Sequence, residues 1–182
     1  VPGDVARNRT EIVGACIDAG INYLDITTAA ECLAYGAALK DRRDKMIVGA
    51  DDHLLGPRNP NNRTVKALTH NIDECLRRLR TDYLDIWRVQ ADMSGKNTDD
   101  EVAVMIETFQ KAHKAGKARH FGVSSHSRPW LQHVIETFPE VEMVIFPCTA
   151  KTKAKDKPPT RENVEEVNAG HGADVGQSIF ET

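Results

Sequence analysis

Asp25, Asp51, Asp52, His53, Ser125 and His126 are the residues of this chain whose types and spacing suit chemistry. They end or follow three short apolar runs, "INYLDI", "DKMIVGA" and "ARHFGVS". A parallel sheet carries the ends of such runs to one face. Carboxylates beside imidazoles suit a divalent cation and metal-assisted hydrolysis. No tight metal motif such as His-Glu-x-x-His accompanies them. The bland alternative is a polar loop, "DDHLLGPRN", whose aspartates cap backbone groups, and it is the preferred reading. A fourth run, "YLDIWRVQ", ends in Gln90. A glutamine can donate a hydrogen bond to a carbonyl but cannot titrate. The other histidines read as structural. His70, His113 and His133 fall in helical patterns, His120 in a strand and His171 in a polar segment.

The elements that must position these residues alternate in period. "RTEIVGACIDAG" is helical and stops at Gly20. "INYLDI" is a strand, and "AAECLAYGAALKDRR" a helix expected to carry basic residues in its last turn. "DKMIVGA" is the next strand. "NNRTVKALTHNIDECLRRLR" places Val65, Leu68, Ile72, Cys75, Leu76 and Leu79 on one helical face. "YLDIWRV" follows as a strand, then "TDDEVAVMIETFQKAHKAG" as a helix with a capping box from Thr98 to Glu101. "ARHFGVS" is a strand, "SRPWLQHVIETF" a helix capped by Ser127, and "VEMVIFP" a strand. Five near-continuous apolar strands in strict alternation with helices imply a parallel sheet covered by helices. A doubly wound sheet and a barrel both satisfy this pattern, and the Gly-rich dinucleotide fingerprint of the first is missing.

Residues 149–182 differ in character. They are polar, rich in lysine, proline and glycine, and read as a long loop or insertion leading into a truncated helix. The expected organisation is therefore a partial barrel over 1–148 followed by this segment.

Bulk properties narrow the class. The chain has 182 residues, 40% hydrophobic and 28% charged. That suits one globular domain. Its net charge of −3 offers no electrostatic case for nucleic acid or an anionic membrane surface. No apolar run approaches the roughly 20 residues that span a bilayer. Cys16, Cys32, Cys75 and Cys148 are scattered, which argues against a zinc knuckle and for buried, reduced thiols. A cytoplasmic setting is expected. The first residue is not Met, so a preceding segment with a targeting signal stays open.

Three stretches resemble the aldo-keto reductases: "DAGINYLD", "LRRLRTDYLDIWRVQ" and "AGKARHFGVSS". The family shows a strand ending in aspartate, then "sLxrLgtDYiDLyxxH" and "GKxRxxGVSN" blocks in this order. The resemblance implies a (β/α)8 barrel, of which the five strands are the second to sixth, and NADP(H)-dependent interconversion of small carbonyls and alcohols. A complete barrel takes roughly 250 residues, so the chain reads as a fragment whose open arc has two exposed sheet edges.

The resemblance also assigns the site. In the family a tyrosine donates the proton, a lysine paired with an aspartate lowers the tyrosine's pKa, and a histidine orients the carbonyl. Asp25 matches the aspartate. Ala30 stands where the tyrosine belongs, and Tyr35 reads as a packed helix residue. Asp51 occupies the lysine position and reverses its charge. Gln90 replaces the histidine. Ser124 and Ser125 correspond to the serine-asparagine pair that holds the nicotinamide amide, and Cys148 takes the place of a stacking tyrosine. Asp25, Asp51 and Gln90 are thus the catalytic candidates and Ser124 and Ser125 the cofactor candidates, with no metal ligands. The stretch alone is expected to be weak or inactive and to bind NADP(H) poorly, since the family's phosphate-binding segments follow the seventh and eighth strands. The alternatives are a diverged barrel performing metal-assisted hydrolysis or non-catalytic binding.

Overall fold

A computed structural model describes residues 3–148. The polar segment 149–182 lies outside them. Helix α1 (Gly3–Asp18) leads into strand β1 (Tyr23–Ile26), and the chain continues α2 (Ala29–Ala38), β2 (Ile47–Ala50), α3 (Val65–Leu79) and β3 (Leu84–Gln90). Then come α4 (Asp99–Lys114), β4 (Ala118–Ser124), α5 (Arg128–Thr137) and β5 (Met143–Ile145). The five strands pair in chain order, β1-β2-β3-β4-β5, and every pairing is parallel. The result is a curled half-barrel with helices on its outer face, as expected of part of a (β/α)8 barrel. No described helix is long and apolar enough to cross a membrane.

Local chemistry sets the helix ends. Thr28 caps α2 and Thr98 caps α4. Each completes a capping box with Glu31 or Glu101 three residues on. Thr64 and Ser127 cap α3 and α5. Helix α3 ends because Arg80 adopts a left-handed conformation, φ 56°, a common way to stop a helix. Helix α2 is shorter than expected. It stops at Ala38, so Lys40, Arg42 and Arg43 lie beyond it and its last turn holds no basic residue. Asp41 turns the chain at φ 62°. Arg42 then reaches back, its Nε donating to the Ala38 carbonyl at 2.7 Å. It thereby caps an otherwise orphaned carbonyl from outside the helix.

Alternation along each strand separates two environments. Ile26, Val48, Ala50, Trp87, Val89, Phe121 and Val123 join Leu68, Ile72, Val102, Met105 and Val134 of the helices in one buried core. Trp87 stacks on Phe121 at 5.5 Å, and Phe121 on Phe109 at 5.4 Å. These ring contacts tie the sheet to α4. The opposite face is a trough that carries Tyr23, Asp25, Ile86, Arg88, Gln90 and Ser124. Two glycines keep it open. A Cβ on Gly49 would run into the Tyr23 hydroxyl, and one on Gly122 would meet Ile86 at 3.2 Å and Arg88 at 3.3 Å. The cysteines follow the expectation in part. Cys32 and Cys75 are buried, but Cys16 is only partly covered and Cys148 is exposed, because it follows the last strand.

Candidate active site

The strand ends meet as the alternation requires. In the β3–β4 register Gln90 lies opposite Ser124, and in β1–β2 Ile26 lies opposite Ala50. All the candidate positions therefore gather at the C-terminal pole of the sheet, where barrel enzymes keep their chemistry.

Arg88 organises that pole. It is 2% exposed and sits two residues before Gln90 on the same face of β3. Its Nε donates to Asp25 Oδ1 at 2.8 Å and its Nη2 to Asp25 Oδ2 at 2.9 Å. This is a bidentate pair, the strongest form of arginine–carboxylate contact. Nη2 also reaches the Ile26 carbonyl at 3.3 Å, and Nη1 donates to Ser124 Oγ at 3.0 Å. One cation thus binds β1, β3 and β4 together. The Tyr23 hydroxyl donates to Asp25 Oδ1 at 3.1 Å, from the neighbouring position on the same face of β1. Burial, then the charge of Asp25, pushes the Tyr23 phenol well above its usual range, with Arg88 opposing. Both leading causes disfavour the phenolate, so Tyr23 stays protonated and is a weak acid.

Asp51 lies elsewhere than in the trough network. It is fully buried. Strand β3 runs three residues past its last partner in β2, Trp87 opposite Ala50. The Asp51 Oδ2 fills that gap by accepting the Gln90 backbone N–H at 2.9 Å. Among the described residues its Oδ1 finds no hydrogen-bond partner. Gly56 closes over the carboxyl so tightly that a Cβ there would lie 2.7 Å from both oxygens. Burial pushes the Asp51 carboxyl up to about 6, against the pull of the Gln90 N–H and Arg88, with Asp52 adding a small like-charge contribution. The carboxyl that rises is thus Asp51 itself, chiefly because burial disfavours its charged form.

The other candidates separate cleanly. The Gln90 Nε2 donates to the Thr27 carbonyl at 3.4 Å. His53 joins it there, its Nδ1 lying 2.9 Å from the same oxygen and its backbone N–H at 3.1 Å. Asp52 pairs with Arg78 at 2.5 Å. Ser124 faces Arg88, and its hydroxyl reaches the Val89 carbonyl at 3.3 Å. Ser125 is buried and turned away. Its hydroxyl donates to the Asp92 carbonyl at 2.8 Å and its Oγ accepts the Ser127 N–H, so it ties the loop after β3 to the start of α5. The three aspartates are each engaged separately, and no cluster of three or more His, Cys, Asp or Glu suited to a metal ion occurs among the described residues.

Of the three tyrosines, Tyr23 joins the trough network and the other two lie elsewhere. Tyr35 lies in α2 with the Arg9 guanidinium 5.3 Å above its ring. Tyr83 lies between Arg43 and Arg119 at the opposite pole. Position 30 is in the first turn of α2.

Sequence reasoning missed Arg88, although the signal was there. It is the one charged residue in the second half of an otherwise apolar strand, in phase with Gln90. A cation does stand beside Asp25, supplied from β3.

The model of the aldo/keto reductase family matches residues 5–149. The chain belongs to this family. Among curated relatives, a 6-dehydroglucose reductase of Novosphingobium aromaticivorans is 27% identical over 172 residues, 81% of this chain and 52% of that protein. An uncharacterized oxidoreductase of Bacillus subtilis is 28% identical over 134 residues, 68% of this chain and 42% of that one. The chain spans about half the length of the curated relatives it matches. Among solved structures, the holo form of an aldo-keto reductase from Bacillus halodurans superposes with a TM-score of 0.61 at 22% identity, covering 76% of this chain and 48% of that one. One from Klebsiella pneumoniae, in complex with NADPH, gives 0.59 at 22%, covering 74% and 45%. These likenesses show the fold.

Proposed function

We propose that the full-length protein is an NADP(H)-dependent oxidoreductase that interconverts small-molecule carbonyls and alcohols through a rebuilt proton-handling site. The observation that carries this reading is the bidentate Asp25–Arg88 pair at the C-terminal pole of an aldo/keto reductase sheet. The family's aspartate keeps a cation beside it, although that cation comes from a different strand. When bound, NADP(H) supplies or accepts the hydride at its nicotinamide ring.

The trough suits that ring in part. Ser124 presents a hydroxyl in the trough, oriented by Arg88, and the Gln90 amide lies at its mouth. Ser125 is occupied with Asp92 and Ser127, so Ser124 alone of the serine pair meets the nicotinamide amide. The five strands leave out the family's phosphate-gripping segments. Weak NADPH binding by residues 1–182 alone is therefore expected, and micromolar affinity in a titration of this stretch would overturn that part. A net charge of −3 supports a small-molecule partner rather than nucleic acid. Free thiols at Cys16, Cys32, Cys75 and Cys148 support a cytoplasmic setting.

The test is direct. Full-length protein is incubated with NADPH and a panel of aldehydes and ketones, and NADPH consumption and alcohol formation are followed. Turnover that falls in Arg88→Met and partly returns in Arg88→Lys supports the reading. Absence of both NADPH binding and turnover overturns it.

A further inference from the structure

Asp51 is a buried carboxyl group that the trough network does not use, and it is sealed under a loop. We propose that this loop, residues 51–63 between β2 and α3, is a pH-gated flap, closed over Asp51 when that carboxyl is neutral and loosened when it is ionised. This goes beyond the oxidoreductase reading and holds whichever reaction the pole performs.

The latch is the carboxyl itself. Asp51 is 0% exposed, and its two oxygens differ. Oδ2 accepts the Gln90 N–H at 2.9 Å. Oδ1 has no hydrogen-bond partner among the described residues. A neutral acid tolerates that position better than a carboxylate, which leaves a charged oxygen without solvent or donor. Gly56 keeps water from Oδ1. It is buried, and its backbone packs so closely that an added Cβ would lie 2.7 Å from either oxygen. Lifting Gly56 therefore hydrates the carboxylate.

The loop is tied in a way that permits this. Its start is anchored to α3, where Asp52 pairs with Arg78 and its carbonyl accepts from Asn71 at 2.8 Å. Its end is anchored to α4 by the Arg63–Glu101 pair at 2.8 Å. Between these anchors the loop bonds to itself. The Leu55 N–H reaches the Asp52 carbonyl at 2.8 Å, the Asn59 N–H the Gly56 carbonyl at 3.2 Å, and Asn62 Nδ2 the Leu54 carbonyl at 2.9 Å. Its tie to the end of β1 is His53, whose N–H and Nδ1 meet the Thr27 carbonyl. A segment fixed at both ends and bonded to itself opens as a unit. Opening frees the Thr27 carbonyl, which the Gln90 amide also reaches, and so changes the acceptors that the pole presents.

The groups facing the latch come from several elements. Burial raises the Asp51 carboxyl to about 6, against the Gln90 N–H and Arg88 of β3 and Asn71 of α3, while Asp52 adds to the rise. Cys75 of α3 stays a thiol, held up by its contact with Cys32 of α2 and by burial. His53, Arg58 and Arg63 share the loop, and Glu31 of α2 accepts the Thr27 N–H at 2.8 Å. An open, hydrated aspartate loses its proton near about 4. Closure is thus strongest at low pH, weakens as pH rises from about 4 to about 6, and is level above.

Amide hydrogen exchange of the full-length protein, corrected for its intrinsic pH dependence, tests the flap. Protection of the His53, Leu55 and Asn59 N–H groups is expected to fall roughly 100-fold between about pH 4 and about pH 7 and to be independent of pH in Asp51→Asn. In Gly56→Ala the added methyl props the loop, and the same amides are expected to exchange fast already at about pH 4. Protection that is independent of pH in the wild type, that falls equally in Asp51→Asn, or that is unchanged in Gly56→Ala overturns the proposal. Exchange of these amides only as fast as that of Val89 and Val123 in the core also overturns it, because the loop then opens with the whole protein.

Discussion

Each pole of the sheet holds an arginine–carboxylate cluster, and the two are built to different ends. At the N-terminal pole Asp85 accepts from Arg43 at 2.7 Å, from Arg119 at 3.1 Å and from the Val48 backbone N–H at 2.9 Å. The guanidinium of Arg43 lies 4.4 Å from the centre of the Tyr83 ring, and that of Arg119 lies 3.8 Å from it. Both are within cation–π range. This cluster is turned inward: Asp85 joins β2, β3 and β4 through Val48, Arg43 and Arg119, and the buried Arg43 Nε finds no hydrogen-bond partner among the described residues. At the C-terminal pole Arg88 and its partners are bonded too, but those partners lie on the trough face. Asp25, Ser124 and Gln90 face the trough, and His53 stands beside them. The same ion-pair chemistry makes a staple at one pole and orders a polar trough at the other. What differs is whether the partners of the charge are turned toward the sheet or away from it.

That contrast can be broken, starting with the largest expected effect. Arg88→Met removes a buried cation and strands the Asp25 carboxylate. It is expected to cost about 3 to 5 kcal/mol in urea unfolding of the full-length protein, and Asp25→Asn added to it should recover much of the loss. A loss below about 1 kcal/mol would show that Arg88 does not hold the pole.

Asp51→Asn should act in the opposite direction. The folded protein raises this carboxyl to about 6, so the fold prefers the neutral acid. Wild-type stability is then greatest at low pH on this account, falls as pH rises from about 4 to about 6, and is level above. The variant is expected to gain up to about 3 kcal/mol at neutral pH and nothing near pH 4. A pH-independent difference in melting would contradict the assignment.

The N-terminal staple should respond more mildly and without a catalytic signature. Asp85→Asn keeps an acceptor for Val48 N–H but discharges the pairing with two arginines. The expected cost is about 1 to 3 kcal/mol, with the KM for NADPH unchanged. Arg119→Ala, at an exposed pair, should cost less than about 1 kcal/mol, shrinking further in high salt. A larger change in cofactor binding than in stability for either variant would erase the distinction between the poles.

The fold was legible in the chain to a large degree. The β4 run "ARHFGVS" matches the strand residue for residue, and the Thr98–Glu101 capping box is formed. These features depend on local periodicity and on bonds within one turn. The basic end of α2 was misread because its boundary depends on Asp41 turning left-handed and Arg42 folding back, which composition does not reveal. The site was legible only in part. Asp25 and Gln90 sit at the pole as expected. Ser125 shows why position in a motif is not exposure: its hydroxyl is taken by Asp92, 33 residues earlier. Asp51 follows β2 at the same pole, but its burial beneath Gly56 comes from a loop that closes over it. Arg88 went unread because its partner Asp25 lies 63 residues away.

By itself the sequence determined the alternation of strands and helices and the family. Those are statements about residue types and short-range periods, which hold before the chain is folded. Only the tertiary structure decided which polar groups meet at the C-terminal pole. Placing Arg88 on Asp25 and Ser124, and His53 beside Gln90 on one carbonyl, requires strands distant in the chain to lie side by side in a fixed register. Charge pairing and burial act over a few ångströms, and only the folded sheet brings those groups that close.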